Sequence, residues 1–175
     1  RGRVNVLHRY EKGGLGPAYI AGFKEALQLG ADYIIQMDAD FSHQPKYIAQ
    51  LIAKLESGYD FVIASRFAPG GGVDENWSFY RKLLSWFANR VYTRLLLNIP
   101  VYDATAGYRI WQRATLIGLD LERVRSNGYV FQVEMAYVAC RLGFKVAEIP
   151  IYFPDRQHGE SKMDIRIQLE AALRV

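Results

Sequence analysis

Through Ser65 the chain alternates short apolar runs with stretches of helical periodicity. Val4–Leu7 reads as a short strand. Pro17–Leu29 reads as a helix, with proline in its first turn, Ile20, Phe23, Ala26 and Leu27 on one face, and Gly30 as its stop. Asp32–Met37 is a mostly apolar run of the kind buried in a parallel sheet. Ile48, Leu51, Ile52 and Leu55 mark the face of a second helix ending at Gly58, and Phe61–Ala64 is a further buried strand. Strand, helix, strand, helix, strand predicts an α/β domain with a mostly parallel sheet flanked by helices.

The pattern changes after Arg66. Residues 68–76 form a glycine-rich loop, and a long helical stretch is predicted from about Trp77 to Leu97, with Tyr80, Leu84, Phe87, Val91 and Leu95 at helical spacing. Arg81 and Ser85 lie one turn apart on another face of it. Tyr102–Ile110 is read as loop passing into strand, and Phe131–Leu142 as a helix stopped by Gly143. Val146–Phe153 is read as a strand that Pro150 confines to a sheet edge or a bulge. Residues 163–175 again show helical periodicity. No repeat, low-complexity tract or interdomain linker interrupts the chain.

Composition narrows the class. The 175 residues suit one globular domain. A single cysteine, Cys140, excludes an intrachain disulfide and a cysteine zinc cage, and no apolar run approaches the ~18–20 residues needed to span a bilayer. These features point to the cytoplasm. The charge is unevenly placed: basic and acidic groups balance through Ser65, and the net +4 arises beyond it. Between Arg66 and Arg113 stand 7 basic and 3 acidic side chains, which suits an anionic ligand. Nucleic acid is not expected, since a tight binder carries denser Lys/Arg clusters.

The chemistry is expected at Asp38-Ala39-Asp40, at the carboxyl end of the strongest predicted strand. Ligands bind at that edge in open α/β sheets, and two carboxylates one residue apart can share a divalent cation, Mg2+ or Mn2+. A phosphatase with an aspartyl nucleophile would carry glycine and threonine after the second aspartate, where this chain has Phe41 and Ser42. Gly13-Gly14-Leu15-Gly16 precedes a helix but does not match a dinucleotide fingerprint. His43 sits at a helix start, His8 and His158 have no partner at ligand spacing, and Cys140 is read as a packing residue.

Five blocks in order resemble the family 2 glycosyltransferases, and more narrowly the polyprenol (dolichol) monophosphate mannose synthases. They are Lys12–Ala18 (KGGLGPA), Met37–Pro45 (MDADFSHQP), Ala64–Val73 (ASRF followed by GGGV), Asp103–Arg109 (DATAGYR) and Phe153–Met163 (FPDRQHGESKM). The resemblance covers nearly the whole chain. It implies a GT-A-type fold and inverting transfer of mannose from GDP-mannose to a polyprenyl or dolichyl phosphate. The metal would lie at Asp38 and Asp40, with Ser42 as a secondary ligand, and would stabilise the GDP leaving group. The lipid phosphate is already ionised at neutral pH, so no strong general base is needed.

By the same resemblance, Arg66, Arg81 and Ser85 hold the acceptor phosphate, for which a planar guanidinium is well suited. Arg156 and Lys162 clamp the donor diphosphate. Gln132 and Glu134 face the sugar and metal region, and Asp103 and Arg109 orient groups around the acceptor. Asp40, Arg66 and Glu134 are thus the candidate catalytic residues. Trp77, Phe79, Tyr80, Trp86 and Phe87, with Arg90 and Arg94, form either ordinary core or a membrane-facing helix.

The family's opening strand and the acidic strand end that holds its nucleobase have no counterpart before Arg1. The expectation is therefore a catalytic domain, residues 1–175, truncated at the N-terminus and at the C-terminus, that does not turn over at a normal rate alone. It would work peripherally on the cytoplasmic membrane face, with a membrane-anchor subunit or a C-terminal membrane segment. Transfer of glucose from UDP-glucose, or a non-catalytic domain that binds lipid phosphate, are the alternatives.

Overall fold

The computed structural model describes residues 4–11, 13–75, 77, 83, 97–128 and 130–154. The expected helix over 77–97, with Arg81 and Ser85, falls almost wholly outside these residues, as do Arg156, Lys162 and the periodic stretch 163–175.

Helix α1 (Leu15–Gln28) leads to strand β1 (Tyr33–Gln36); a 3₁₀ turn (Pro45–Tyr47) and helix α2 (Ile48–Glu56) lead to β2 (Phe61–Ser65). The short β3 (Gly72–Val73) follows, then β4 (Arg109–Gln112), α3 (Arg113–Gly118), α4 (Val130–Arg141), β5 (Val146–Pro150) and β6 (Tyr152–Phe153). The main sheet has the order β1-β4-β2-β5, and β3 pairs with β6 in a separate two-stranded ribbon. Pro150 ends β5, which lies at the sheet edge as its proline requires.

The α/β sheet flanked by helices is as expected: among the described strands of the main sheet β1, β2 and β5 run in one direction, with β2 and β5 paired in parallel, while β4 is antiparallel to its neighbours β1 and β2. The chain reaches β4 through a loop at the carboxyl edge, so β4 runs back between two strands of the other direction. Val4–Leu7 is not a strand; Val4 and Val6 are 87% and 69% exposed, and no described strand pairs with them. An extended segment without a neighbour leaves its backbone groups to water.

Every residue of β2 is buried because both faces of the sheet are covered. Phe61 and Ile63 face a cluster with Phe23 of α1, Trp111 of β4 and Phe131 and Met135 of α4. Val62 and Ala64 face the opposite cluster with Leu51 and Leu55 of α2 and Ile149 of β5. Leu51 and Leu55 are wholly buried, each contributing about 2 kcal/mol. Phe61 and Trp111, partners across β2 and β4, stack with centroids 4.7 Å apart.

The register brings the chemistry to one edge. Gln36 pairs with Arg109, so the segment after β1, carrying Asp38, lies beside the loop that feeds β4, carrying Asp103–Tyr108. Ser65, at the end of β2, pairs with Pro150, placing Arg66 beside the β5–β6 segment.

Candidate functional site

Asp38 is held at two points. Its backbone N–H donates to His43 Nδ1 at 2.8 Å, and its Oδ1 accepts from the Tyr19 hydroxyl at 2.8 Å. Burial and the neighbouring carboxylate push the Tyr19 hydroxyl well above its usual range, so it remains a donor. The Tyr19 ring is fixed by near-parallel stacking on Phe131, at 5.9 Å and 4°.

Asp40 is oriented by the turn that follows it. Its Oδ1 accepts from the Ser42 backbone N–H at 3.1 Å and from the Ser42 hydroxyl. Phe41 between them has φ 64°, left-handed backbone that is uncommon for a non-glycine residue and that tightens this turn. Ser42 is 1% exposed and donates to Asp40, which supports that carboxylate; a donating hydroxyl keeps its oxygen lone pairs, so the expected role as a secondary ligand stands as a proposal.

His43 is a brace for Asp38. It is buried, stacks on Tyr108 at 4.9 Å, and meets the Phe153 ring edge-on at 5.6 Å. Because Nδ1 accepts the Asp38 N–H, that nitrogen is not a metal ligand.

Phe153 also touches Arg66, whose guanidinium carbon lies 5.5 Å from the ring centroid, so the aspartate pair and Arg66 share a wall. Arg66 donates from Nε and one terminal nitrogen to the two oxygens of Asp103, each at 2.7 Å, and from that nitrogen to Thr105 Oγ1 at 2.8 Å. Asp103 is fully buried, which alone would raise its pKa; Arg66 outweighs burial and holds the carboxyl below the usual carboxylate range. The glycine loop packs on the same arginine, since a Cβ on Gly71 would lie 2.7 Å from Ser65 O and 2.8 Å from Arg66 O.

Glu148 supports this pair from β5 by accepting the backbone N–H groups of Tyr102 (2.7 Å) and Asp103 (3.0 Å), and burial pushes its carboxyl up. Arg109 is wholly buried and donates to the carbonyls of Ala104, Ala106 and Gln132, stapling the Asp103 loop to α4. Burial pulls its guanidinium down to about 10, still protonated at neutral pH.

Gln132 is 2% exposed and its Oε1 has no hydrogen-bond partner among the described residues. Gly107 lies between it and His43: a Cβ there would be 3.7 Å from Gln132 Nε2 and 3.5 Å from His43 Cε1. Glu134 caps a loop, accepting the Ser126 N–H at 2.9 Å and the Arg125 N–H at 3.5 Å. That loop returns to α1 through Asn127, whose amide donates to Gly13 O at 3.0 Å. The sequence did not single out Tyr19, Thr105 or Glu148, which bond Asp38, Arg66 and the Tyr102–Asp103 amides from 19 or more positions away.

Among the described residues no group of three or more His, Cys, Asp or Glu is placed to hold a metal ion. Asp38 and Asp40 form an all-oxygen pair suited to Mg2+ or Mn2+, with remaining positions left to substrate oxygens or water. No described helix is long and apolar enough to cross a membrane.

A mixed α/β sheet with paired aspartates at a strand end defines a GT-A-type domain. Its fold is shared with two crystal structures of glucosyl-3-phosphoglycerate synthase from Mycobacterium tuberculosis. One contains phosphoglyceric acid (TM-score 0.60, 16% identity, 96% of this chain and 53% of that one). The other contains Mn2+ and uridine-diphosphate-glucose (TM-score 0.57, 15% identity, 96% and 52%).

The chain belongs to glycosyl transferase family 2, whose model matches residues 1–117. It is 46% identical over 172 residues to an undecaprenyl-phosphate mannosyltransferase of Micrococcus luteus, covering 98% of this chain and 70% of the relative. It is 45% identical over 161 residues to a polyprenol monophosphomannose synthase of Mycolicibacterium smegmatis, covering 92% and 60%. The chain thus spans between three fifths and seven tenths of these relatives' length.

Proposed function

We propose that this domain transfers mannose from GDP-mannose to the phosphate of a polyprenol, with inversion, at the cytoplasmic face of a membrane. The observation that carries the reading is 46% identity across nearly the whole chain to a protein named for that acceptor and sugar. In the reaction a phosphate oxygen of the lipid bonds to the anomeric carbon as the bond from that carbon to the diphosphate oxygen breaks, and GDP leaves.

Asp38 and Asp40 would hold a divalent cation, Mg2+ or Mn2+. When bound, that cation supplies positive charge that stabilises the leaving diphosphate. Ser42, His43 and Tyr19 fix the carboxylates beforehand, which lowers the reorganisation needed at the moment of reaction. Gln132 carries a buried acceptor suited to a sugar hydroxyl.

Arg66 would orient the acceptor phosphate, its planar fork held by Asp103 and Thr105. Because Asp103 balances its charge, the net positive charge for two anionic substrates must come from further cations. Arg81 on the acceptor side and Arg156 and Lys162 on the donor side are the candidates, with Ser85 beside Arg81. A membrane-anchor subunit or a membrane segment elsewhere in the protein would keep the domain beside its lipid.

The test uses the full-length protein with polyprenyl phosphate and, in parallel, radiolabelled GDP-mannose and UDP-glucose. Lipid labelling from GDP-mannose that stops with EDTA and returns with Mg2+ or Mn2+ is the expected result. Labelling from UDP-glucose alone reassigns the donor, and no lipid labelling from either overturns the reading.

A further inference from the structure

The Tyr19–Asp38 contact joins a helix to a carboxylate 19 residues away, and its construction is more than packing requires. The Tyr19 ring stacks on Phe131 and, at 6.1 Å and 27°, on Phe23, so the hydroxyl reaches Asp38 from a platform set by α1 and α4. A phenylalanine would fill the same space. The hydroxyl adds one directed bond to a charged acceptor, shorter and stronger than a bond between neutral groups.

That bond occupies Oδ1 of Asp38 and limits rotation of the carboxylate, while His43 holds the backbone of the same residue. The platform is itself anchored at the start of α1. Asn127 ties down Gly13, and Gly16 approaches the Ser126 carbonyl so closely that a Cβ there would lie 2.4 Å from its oxygen.

We infer that Tyr19 is a positioning residue for the cation site: its hydroxyl presents the Asp38 carboxylate to the divalent metal in a single orientation. The inference rests on Asp38 and Asp40 holding a cation, as proposed above. Neighbours that orient a ligating group commonly change metal affinity by about 10–100-fold when removed. Of the two aspartates, Tyr19 bonds Asp38, so an effect at the lower end of that range is expected.

The experiment compares wild type, Tyr19→Phe and Leu55→Ala in the full-length protein. Mn2+ alone is titrated and free Mn2+ is read by electron paramagnetic resonance, with a thermal melt of each protein. Tyr19→Phe should weaken Mn2+ binding by about 10-fold while melting close to wild type. Leu55→Ala should lower the melting temperature and leave Mn2+ affinity near wild type, since Leu55 lies in the core cluster on the other side of the sheet from Tyr19. Unchanged Mn2+ affinity in Tyr19→Phe, or equal weakening in Leu55→Ala, would overturn the inference. Wild type that binds no Mn2+ would overturn the metal reading beneath it, and the two failures are therefore distinguishable.

Discussion

Asp38 and Asp103 are both aspartates at the same edge of the sheet, yet they are held in opposite ways. Asp38 is oriented by the neutral hydroxyl of Tyr19, and Asp40 beside it accepts from the hydroxyl and amide of Ser42. The Tyr19 donor fixes direction without cancelling the charge of Asp38, which suits the proposed cation site. Asp103 is fully buried against a guanidinium, and its charge is spent on holding Arg66. In the proposed reading, one carboxylate site serves a ligand, whereas the other positions a side chain that meets one. Phe153, touching both His43 and Arg66, joins the two into one cleft wall.

The largest effect should come from breaking the buried pair. Asp103→Ala strands the Arg66 guanidinium and should cost about 3–5 kcal/mol in urea denaturation. The Asp103 carboxyl titrates lower in the folded protein than in the unfolded chain, where its pKa is about 3.9. Its contribution is therefore present above that pH and lost as pH falls through the folded value. Wild type should show this acid-dependent loss, and the variant should lack it.

Asp40→Asn tests the other side of the comparison. It should cut mannosyl transfer by about 100- to 1,000-fold, as expected when several kcal/mol of metal-borne stabilisation are lost. Its urea midpoint should stay close to wild type, because this carboxylate serves the ligand more than the fold. A large stability loss with unchanged transfer would reverse the assignment.

Gly16→Ala should show that the aspartate pair depends on a distant contact. The added methyl meets the Ser126 carbonyl oxygen and must shift α1, costing about 1–3 kcal/mol and lowering transfer through Tyr19. His43→Phe keeps an aromatic ring against Tyr108 but removes the acceptor for the Asp38 N–H. It should cost about 1 kcal/mol and raise the Mn2+ concentration needed for half-maximal activity.

Much of this arrangement was legible in local patterns. The periodicity of Ile20, Phe23, Ala26 and Leu27 placed α1, and the apolar run before Asp38 placed β1, with ends differing by one or two residues. Pro150 marked an edge, and β5 is one. The direction of β4 was not legible, because a four-residue run buried on both faces looks the same whichever way it inserts. Val4–Leu7 has the apolar character of a strand, but pairing depends on a neighbour and no described strand meets it.

The sequence by itself determined the inventory: paired aspartates after a buried strand, arginines suited to phosphate, and elements that must form an α/β sheet. The tertiary structure decided that Asp103 balances Arg66 while a neutral hydroxyl orients Asp38. Tyr19 and Asp38 are 19 positions apart, and Arg66 and Asp103 are 37 apart. Hydrophobic periodicity is a local property of one helix or strand, whereas these pairs exist only because strand order and register bring separate loops to the same edge.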